Sequence, residues 1–245
     1  MRSAVLIRHN FALLAREPGP VISRIAMPLV LITALRPIYV AALGTDGVAE
    51  ATTGMLVLFS LLGLSIVGGG MLTERAWHTL DRLRTTPART GEILLGKAVP
   101  FGAVLIAQQA AILGYAHVVL GLSVRRFDLL LLTGLAWVAT LLCAGAAVAT
   151  VVRSQAELSA VTDIGGLFLT VLGGAMVPLA LMPPWLRDLA PASPGYWALT
   201  SLRSAVAGDT PAALRGTAVL TAVALALATF AAWRMSRGWS RSRLL

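Results

Sequence analysis

Long apolar runs alternate with short polar intervals along the whole chain. About 20 mostly apolar residues in a helix cross the hydrocarbon core of a bilayer. Six runs reach that length: residues 21–43, 54–73, 98–122, 129–152, 158–182 and 211–233. The second, third and fourth contain no Asp, Glu, Lys or Arg, and the sixth carries only Arg215 near its start. The first carries Arg24 and Arg36, and the fifth carries Asp163. Charge at membrane depth is costly unless it reaches the interface or faces the protein interior. Arg24, one turn from the edge, reads as a snorkelling residue, and Asp163 as a polar contact between helices. Gly68-Gly69-Gly70, Gly165-Gly166 and Gly173-Gly174 allow close helix approach and carry no chemistry of their own.

Three intervals have patterns of their own. Residues 5–15 set Leu6, Phe11, Leu13 and Leu14 among Arg8, His9 and Arg16, as in an interfacial amphipathic helix lying on one leaflet. Pro18 and Pro20 would end it; a soluble arm is the alternative, because the segment is short for an isolated helix. Between the second and third runs, Ala76, Leu80 and Leu83 fall at i, i+4 and i+7 with Trp77 beside them, so they share one helical face. Glu74, His78, Asp81 and Arg82 occupy the remainder, Thr86-Pro87 stops the helix, and Thr90 restarts one. Such a helix is either a solvated connector or an element that docks in a partner's groove. After the fifth run, Pro178, Pro183, Pro184, Pro191 and Pro194 break any straight helix, and Trp185, Tyr196 and Trp197 favour the headgroup level. Short helices there either re-enter the bundle or lie against it, with an ordinary surface loop as the alternative.

Composition narrows the class. Hydrophobic residues make up 57% and charged residues 13%, against about 25% charged in soluble domains, and the mean hydropathy is +0.81. A water-soluble globule is excluded. The formal charge of +9 arises from bases in the short intervals, which fits anionic headgroups rather than nucleic acid. With the N-terminus inside, Arg2, Arg8, Arg16, Arg24, Arg75, Arg82, Arg84, Arg89, Lys97, Arg153 and the arginines of the C-terminal tail face the cytoplasm. They outnumber Arg36, Arg125, Arg126, Arg187, Arg203 and Arg215 on the other side, so both termini are expected in the cytoplasm. The N-terminus does not read as a signal peptide. Lys97 is the only lysine, a bias that suggests a GC-rich bacterial source.

Catalytic and metal chemistry find no foothold in the pattern. Cys143 is the only cysteine, and His9, His78 and His117 are scattered, so neither a disulfide framework nor a metal set is expected. Gly91 to Ala98 imitates a phosphate loop, but Ala98 replaces the magnesium-binding hydroxyl and bulky helix-formers fill the interior. No cofactor is expected in this chain.

The stretch Glu74-Arg75 … Thr79-Leu80-Asp81 … Leu83 … Thr86-Pro87, followed by Glu92-Ile93-Leu94-Leu95-Gly96-Lys97, resembles the membrane subunits of the ABC type-2 exporter family. It departs from that family at Ala76, often an acid there, and at His78, usually Gly. The run Pro178, Met182-Pro183, Trp185-Leu186, Pro194 and Leu202-Arg203 is similar to the same family's outer segment. The resemblance implies an all-α membrane protein of six transmembrane helices, a single permease domain over residues 1–245. It would include an interfacial helix at 1–20, a cytoplasmic coupling helix at 74–90 and an outer re-entrant helical pair at 183–208. It also implies a second permease subunit, either a copy of this chain or a different one, and two ABC ATPase subunits that bind ATP and magnesium. Glu74, Arg75, Trp77, Leu80, Asp81, Leu83 and Arg84 would couple to those subunits. Substrate would pass between the first, second and fifth spans, along Met27, Leu31, Leu58, Phe59, Leu62, Phe168 and Leu172, with Arg36 and Asp163 as polar contributors. That lining favours a lipophilic cargo such as a drug, antibiotic or lipid, exported across a bacterial inner membrane. A proton-coupled secondary transporter would need more intramembrane acids than Asp163, and a lipid-modifying enzyme would need a cluster of Asp, His or Ser.

Overall fold

A computed structural model describes residues 7, 8, 10–13, 16, 19–65, 67–69, 72 and 90–236, with 20 and 90–97 described by backbone alone. The proposed coupling residues Glu74, Arg75, Trp77, Leu80, Asp81, Leu83 and Arg84 lie outside the described residues. In the N-terminal amphipathic segment, positions 7, 8, 10–13 and 16 are helical, and Phe11 and Leu13 are exposed.

Every regular element among the described residues is helical. Helix α1 (Gly19–Leu43) and helix α2 (Gly47–Leu62) are joined by a single 3-10 turn, Gly44–Asp46. They form an antiparallel hairpin. At one end the backbone of Gly47 sits against Tyr39, and at the other Arg24 lies beside Gly63 and Ser65. Helix α3 (Thr90–Val118), α4 (Phe127–Val151) and α5 (Gln155–Leu172) follow. The chain then breaks into a 3-10 turn at Leu179–Leu181, the short α6 (Pro184–Leu189), a second 3-10 turn and α7 (Pro194–Ala207), before α8 (Thr210–Ser236).

Among the described residues, four stretches are long and apolar enough to cross a membrane: Val21–Gly69, Ala98–Val118, Phe127–Val151 and Thr210–Ser236. The first, of 49 residues, contains the α1–α2 hairpin and so holds two helices. Helix α5 has 18 residues, among them Glu157 and Asp163, and is not one of the four. It begins where Ser154 caps it, the hydroxyl accepting from the Glu157 N–H at 3.1 Å while the Glu157 carboxylate accepts from the Arg153 N–H at 2.8 Å. It ends at Leu172, short of the apolar run's end at 182, because Gly174 adopts φ +81°, a left-handed conformation that stops a helix. Toward its N-terminus, α3 extends beyond the apolar run to Thr90. Residues 91–98 are therefore helical, unlike the open turn of a phosphate loop.

The core is centred on α2, which is buried on all sides from Ala51 to Leu61, as a helix apolar all round should be. Ile112, Trp137, Leu141, Leu199, Leu202 and Leu220 complete it from α3, α4, α7 and α8. Between α4 and α8, the Thr133 and Thr217 hydroxyls bond at 2.9 Å, and the Thr140 hydroxyl donates to the Leu220 carbonyl at 3.1 Å. These small polar pairs suit helices that meet in lipid. By contrast, α1 and α5 turn large apolar side chains outward: Met27, Val30, Ile164 and Phe168 are each more than half exposed.

Candidate functional site

The expected path residues fall on three kinds of surface. Met27 and Arg36 of α1 and Asp163 and Phe168 of α5 are exposed, whereas Leu31, Leu62 and Leu172 are half-buried. Leu58 and Phe59 are buried at 8% and 9% exposure, within the stretch of α2 that is covered on every side. They belong to the core of the fold and present no open surface. The exposed members of the set share the outward faces of α1 and α5.

Near the α1 N-terminus, four helices bring polar groups close together. The Arg24 guanidinium donates to the Ser65 hydroxyl at 3.3 Å and is attracted by the Asp163 carboxylate without a direct ion pair. Gln108 of α3 is 1% exposed, and neither its amide oxygen nor its amide nitrogen has a hydrogen-bond partner among the described residues. Arg24 and Gln108 border one small cavity of about 10 Å³, the size of a single water and too small for any cargo. Asp163 itself is exposed on the outward side of α5.

At the other end of the hairpin lies a tighter constellation. Arg203 of α7 pairs with Glu50 of α2 at 2.7 Å, the side chains being 21% and 13% exposed. The Arg203 Nε–H also donates to the Thr53 hydroxyl at 3.2 Å, one turn along α2. Tyr39 of α1 donates its hydroxyl to the Met176 carbonyl at 2.9 Å. Burial lowers the Arg203 guanidinium to about 10, while Glu50 and Tyr39 pull it the other way, so it stays charged at neutral pH. Helix α7, which carries it, is not among the helices long and apolar enough to span.

Backbone contacts hold this clasp in place. Gly54 lies against the Ala175 carbonyl so closely that a Cβ would collide with it, which lets the segment after α5 press onto α2. The Ser193 hydroxyl then donates to the Leu169 carbonyl at 2.8 Å. After leaving α5, the chain has therefore turned back alongside that helix before α7 begins. Ser193 also caps α7 through the Gly195 N–H at 3.1 Å, with Pro194 at the first helical position. The segment is a folded-back pair of short helices pinned to α2, and its charged pin is Glu50–Arg203.

Sequence reading placed Arg203 among the basic residues of one side and in the outer-segment resemblance, gave it no partner, and did not single out Glu50. The available signal was that each is a charge beside long apolar stretches. Such a charge needs a partner, and the two had opposite signs.

A family model for the ABC-2 type transporter matches residues 3–206. No curated protein matches the chain.

Proposed function

Since the chain belongs to the ABC-2 type transporter family, we propose that it is the permease half of an ATP-driven exporter that moves a lipophilic compound across a bacterial inner membrane. The family match over residues 3–206 carries this reading. As an ABC-2 membrane component the chain is a transport subunit, and its family implies an ABC ATPase partner. Two such ATPase subunits, holding ATP and magnesium, would act on the segment at 74–90 through Trp77, Leu80 and Leu83, with Glu74, Arg75, Asp81 and Arg84 pairing at its rim.

Six helices would cross the bilayer: α1, α2, α3, α4, α5 and α8. Both termini would be cytoplasmic, α6 and α7 would re-enter from the outer face, and the N-terminal amphipathic helix would lie on the inner leaflet. The lengths of α3, α4 and α8, at 29, 25 and 27 residues, support full crossings, since each residue adds about 1.5 Å. The outward apolar faces of α1 and α5 support a second permease subunit, identical or different, that faces them and closes the path. Met27, Leu31, Leu62, Phe168 and Leu172 would then line the path, backed by Leu58 and Phe59, with Arg36 and Asp163 as its polar stations. An exposed wall of Met27, Val30, Ile164 and Phe168 supports a lipophilic cargo over a charged polymer.

Co-purification tests the coupling claim. The wild-type chain is expected to retain its ATPase partner through affinity purification, and Leu80→Asp or Leu83→Asp to lose it while keeping the same elution profile. Unchanged retention in both variants would refute docking at this segment. Transport by the purified chain alone in liposomes under a proton gradient would refute the exporter reading and favour a secondary transporter.

A further inference from the structure

Three carboxylates of the apolar helices have a partner at close range. Glu50 meets Arg203 at 2.7 Å, Asp128 meets Arg126 at 2.7 Å, and Glu157 accepts from the Arg153 N–H at 2.8 Å. All three sit in the first turns of their helices, α2, α4 and α5. Asp163 differs on both counts. It stands eight positions into α5, about 12 Å from that helix's start, and makes no hydrogen bond or direct ion pair with any described residue. An ionisable group at membrane depth is costly, and where one persists it pairs or marks the pathway of a substrate or ion.

Arg24 does not complete the acid. Its half-buried guanidinium donates to Ser65 at 3.3 Å and attracts Asp163 without touching it. The open position beside the carboxylate therefore suits a cation from outside the chain. A calcium or magnesium ion takes about six or more oxygens, and no group of three His, Cys, Asp or Glu converges among the described residues. The surroundings suit an organic body instead. Ile164 and Leu167 stand beside Asp163 on α5, 71% and 48% exposed, and Met27, one turn from Arg24 on α1, is 58% exposed. Arg36, the other arginine of α1, lies twelve positions beyond Arg24, about 18 Å along the helix, too far to repel a charge seated at Asp163.

We propose that Asp163 selects the cargo by charge, and that the cargo is a lipophilic organic cation. Its charged centre seats against the carboxylate, and its apolar body lies on Ile164, Leu167 and Met27. This deepens the reading of the outward faces of α1 and α5 as the wall of an export path, and rests on it. Among apolar compounds of one size, that wall prefers the positive one.

Equilibrium binding of radiolabelled tetraphenylphosphonium to the purified full chain in lipid nanodiscs, with empty nanodiscs subtracted, tests this. Binding is expected to saturate and to resist competition by triphenylphosphine oxide, which has a similar body without the charge. Asp163→Asn keeps the shape and removes the charge, so it should weaken binding at least about tenfold, whereas Asp163→Glu should stay within about threefold of wild type. Ala160 is exposed one turn before Asp163. Ala160→Arg therefore gives the acid a built-in counter-charge and should abolish binding with the acid still in place, which decides the matter if Asp163→Asn does not fold. Binding that does not saturate, that is equal in wild type and folded Asp163→Asn, or that survives Ala160→Arg would overturn the proposal. Competition by the oxide as strong as that by unlabelled tetraphenylphosphonium would overturn it as well. No ATP or ATPase takes part, so failure here is distinct from failure of the co-purification that tests the exporter reading.

Discussion

Arg203→Met should unpin α7 from α2, and the geometry sets the size of the effect. The substitution keeps most of the side-chain volume but leaves the Glu50 carboxylate, 13% exposed, without its partner at 2.7 Å. Breaking one side of a buried ion pair costs about 3–5 kcal/mol. The residual exposure of both groups places this pair near the lower end, at about 3 kcal/mol, more than a hundredfold in the unfolding constant. Glu50→Gln in the same background removes the stranded charge, leaving about 1 kcal/mol for the lost Arg203–Thr53 hydrogen bond. Reversible unfolding of the four-member cycle in mixed micelles, followed by tryptophan fluorescence, should therefore give a coupling energy of at least about 2 kcal/mol, increased by whatever Glu50→Gln alone costs through the stranded Arg203 charge. Neutral helix–helix hydrogen bonds in a membrane protein average about 0.6 kcal/mol, so the two cases are separable. Additivity within about 0.5 kcal/mol would refute the clasp.

Other substitutions probe the neighbouring geometry. Gly54→Val places branched carbons on the Ala175 carbonyl and should destabilise by about 1–3 kcal/mol, read as a lower melting temperature; an unchanged value would show that α2 and the segment after α5 are not in close contact. Arg126 and Asp128 form a solvent-exposed pair at 2.7 Å, in which the Asp128 hydrogen bond raises the Arg126 guanidinium. Exposed pairs contribute little, so Arg126→Gln should leave the melting temperature unchanged, and a clear drop would mean that its bond to Thr210 at 3.1 Å anchors the start of α8.

The helices themselves were legible in the chain, because apolar length alone identifies a segment that lipid can hold. Helix α1 runs to Leu43, where its apolar run stops, and α4 departs from the expected bounds by only a residue or two at each end. The end of α5 was hidden. Residues beyond Leu172 stay apolar because they pack on α2 through Gly54, and burial outside a helix leaves the same composition as burial inside one. Leu58 and Phe59 were chosen as path residues for their bulk and apolarity. Those properties equally describe a core helix, and only the surrounding elements distinguish the two. Met27 and Phe168, on the outward faces of α1 and α5, keep their place as candidates. Glu50 and Arg203 could not be joined from sequence, since no local periodicity relates positions so far apart. The Gln108 amide was invisible for a different reason: a glutamine in an apolar run gives no sign of whether its hydrogen bonds are made.

The long sequence separation within the clasp bears on how the protein is made. Thr53 and Arg203, which it joins, are 150 positions apart. At about 5–20 residues per second of synthesis, α2 enters the membrane roughly 8–30 seconds before α7 exists. For that interval the Glu50 carboxylate has no guanidinium, so the nascent hairpin must keep it at the headgroup level or hold it protonated. The three-residue turn at Gly44–Asp46, only a few positions away, allows the first course, because it keeps Glu50 near the water boundary. Docking of α7 then supplies the guanidinium that Glu50 lacked. A chain cut short before Arg203 would carry a permanently unpaired acid in its most buried helix, the kind of defect by which membrane quality control distinguishes unfinished proteins from finished ones.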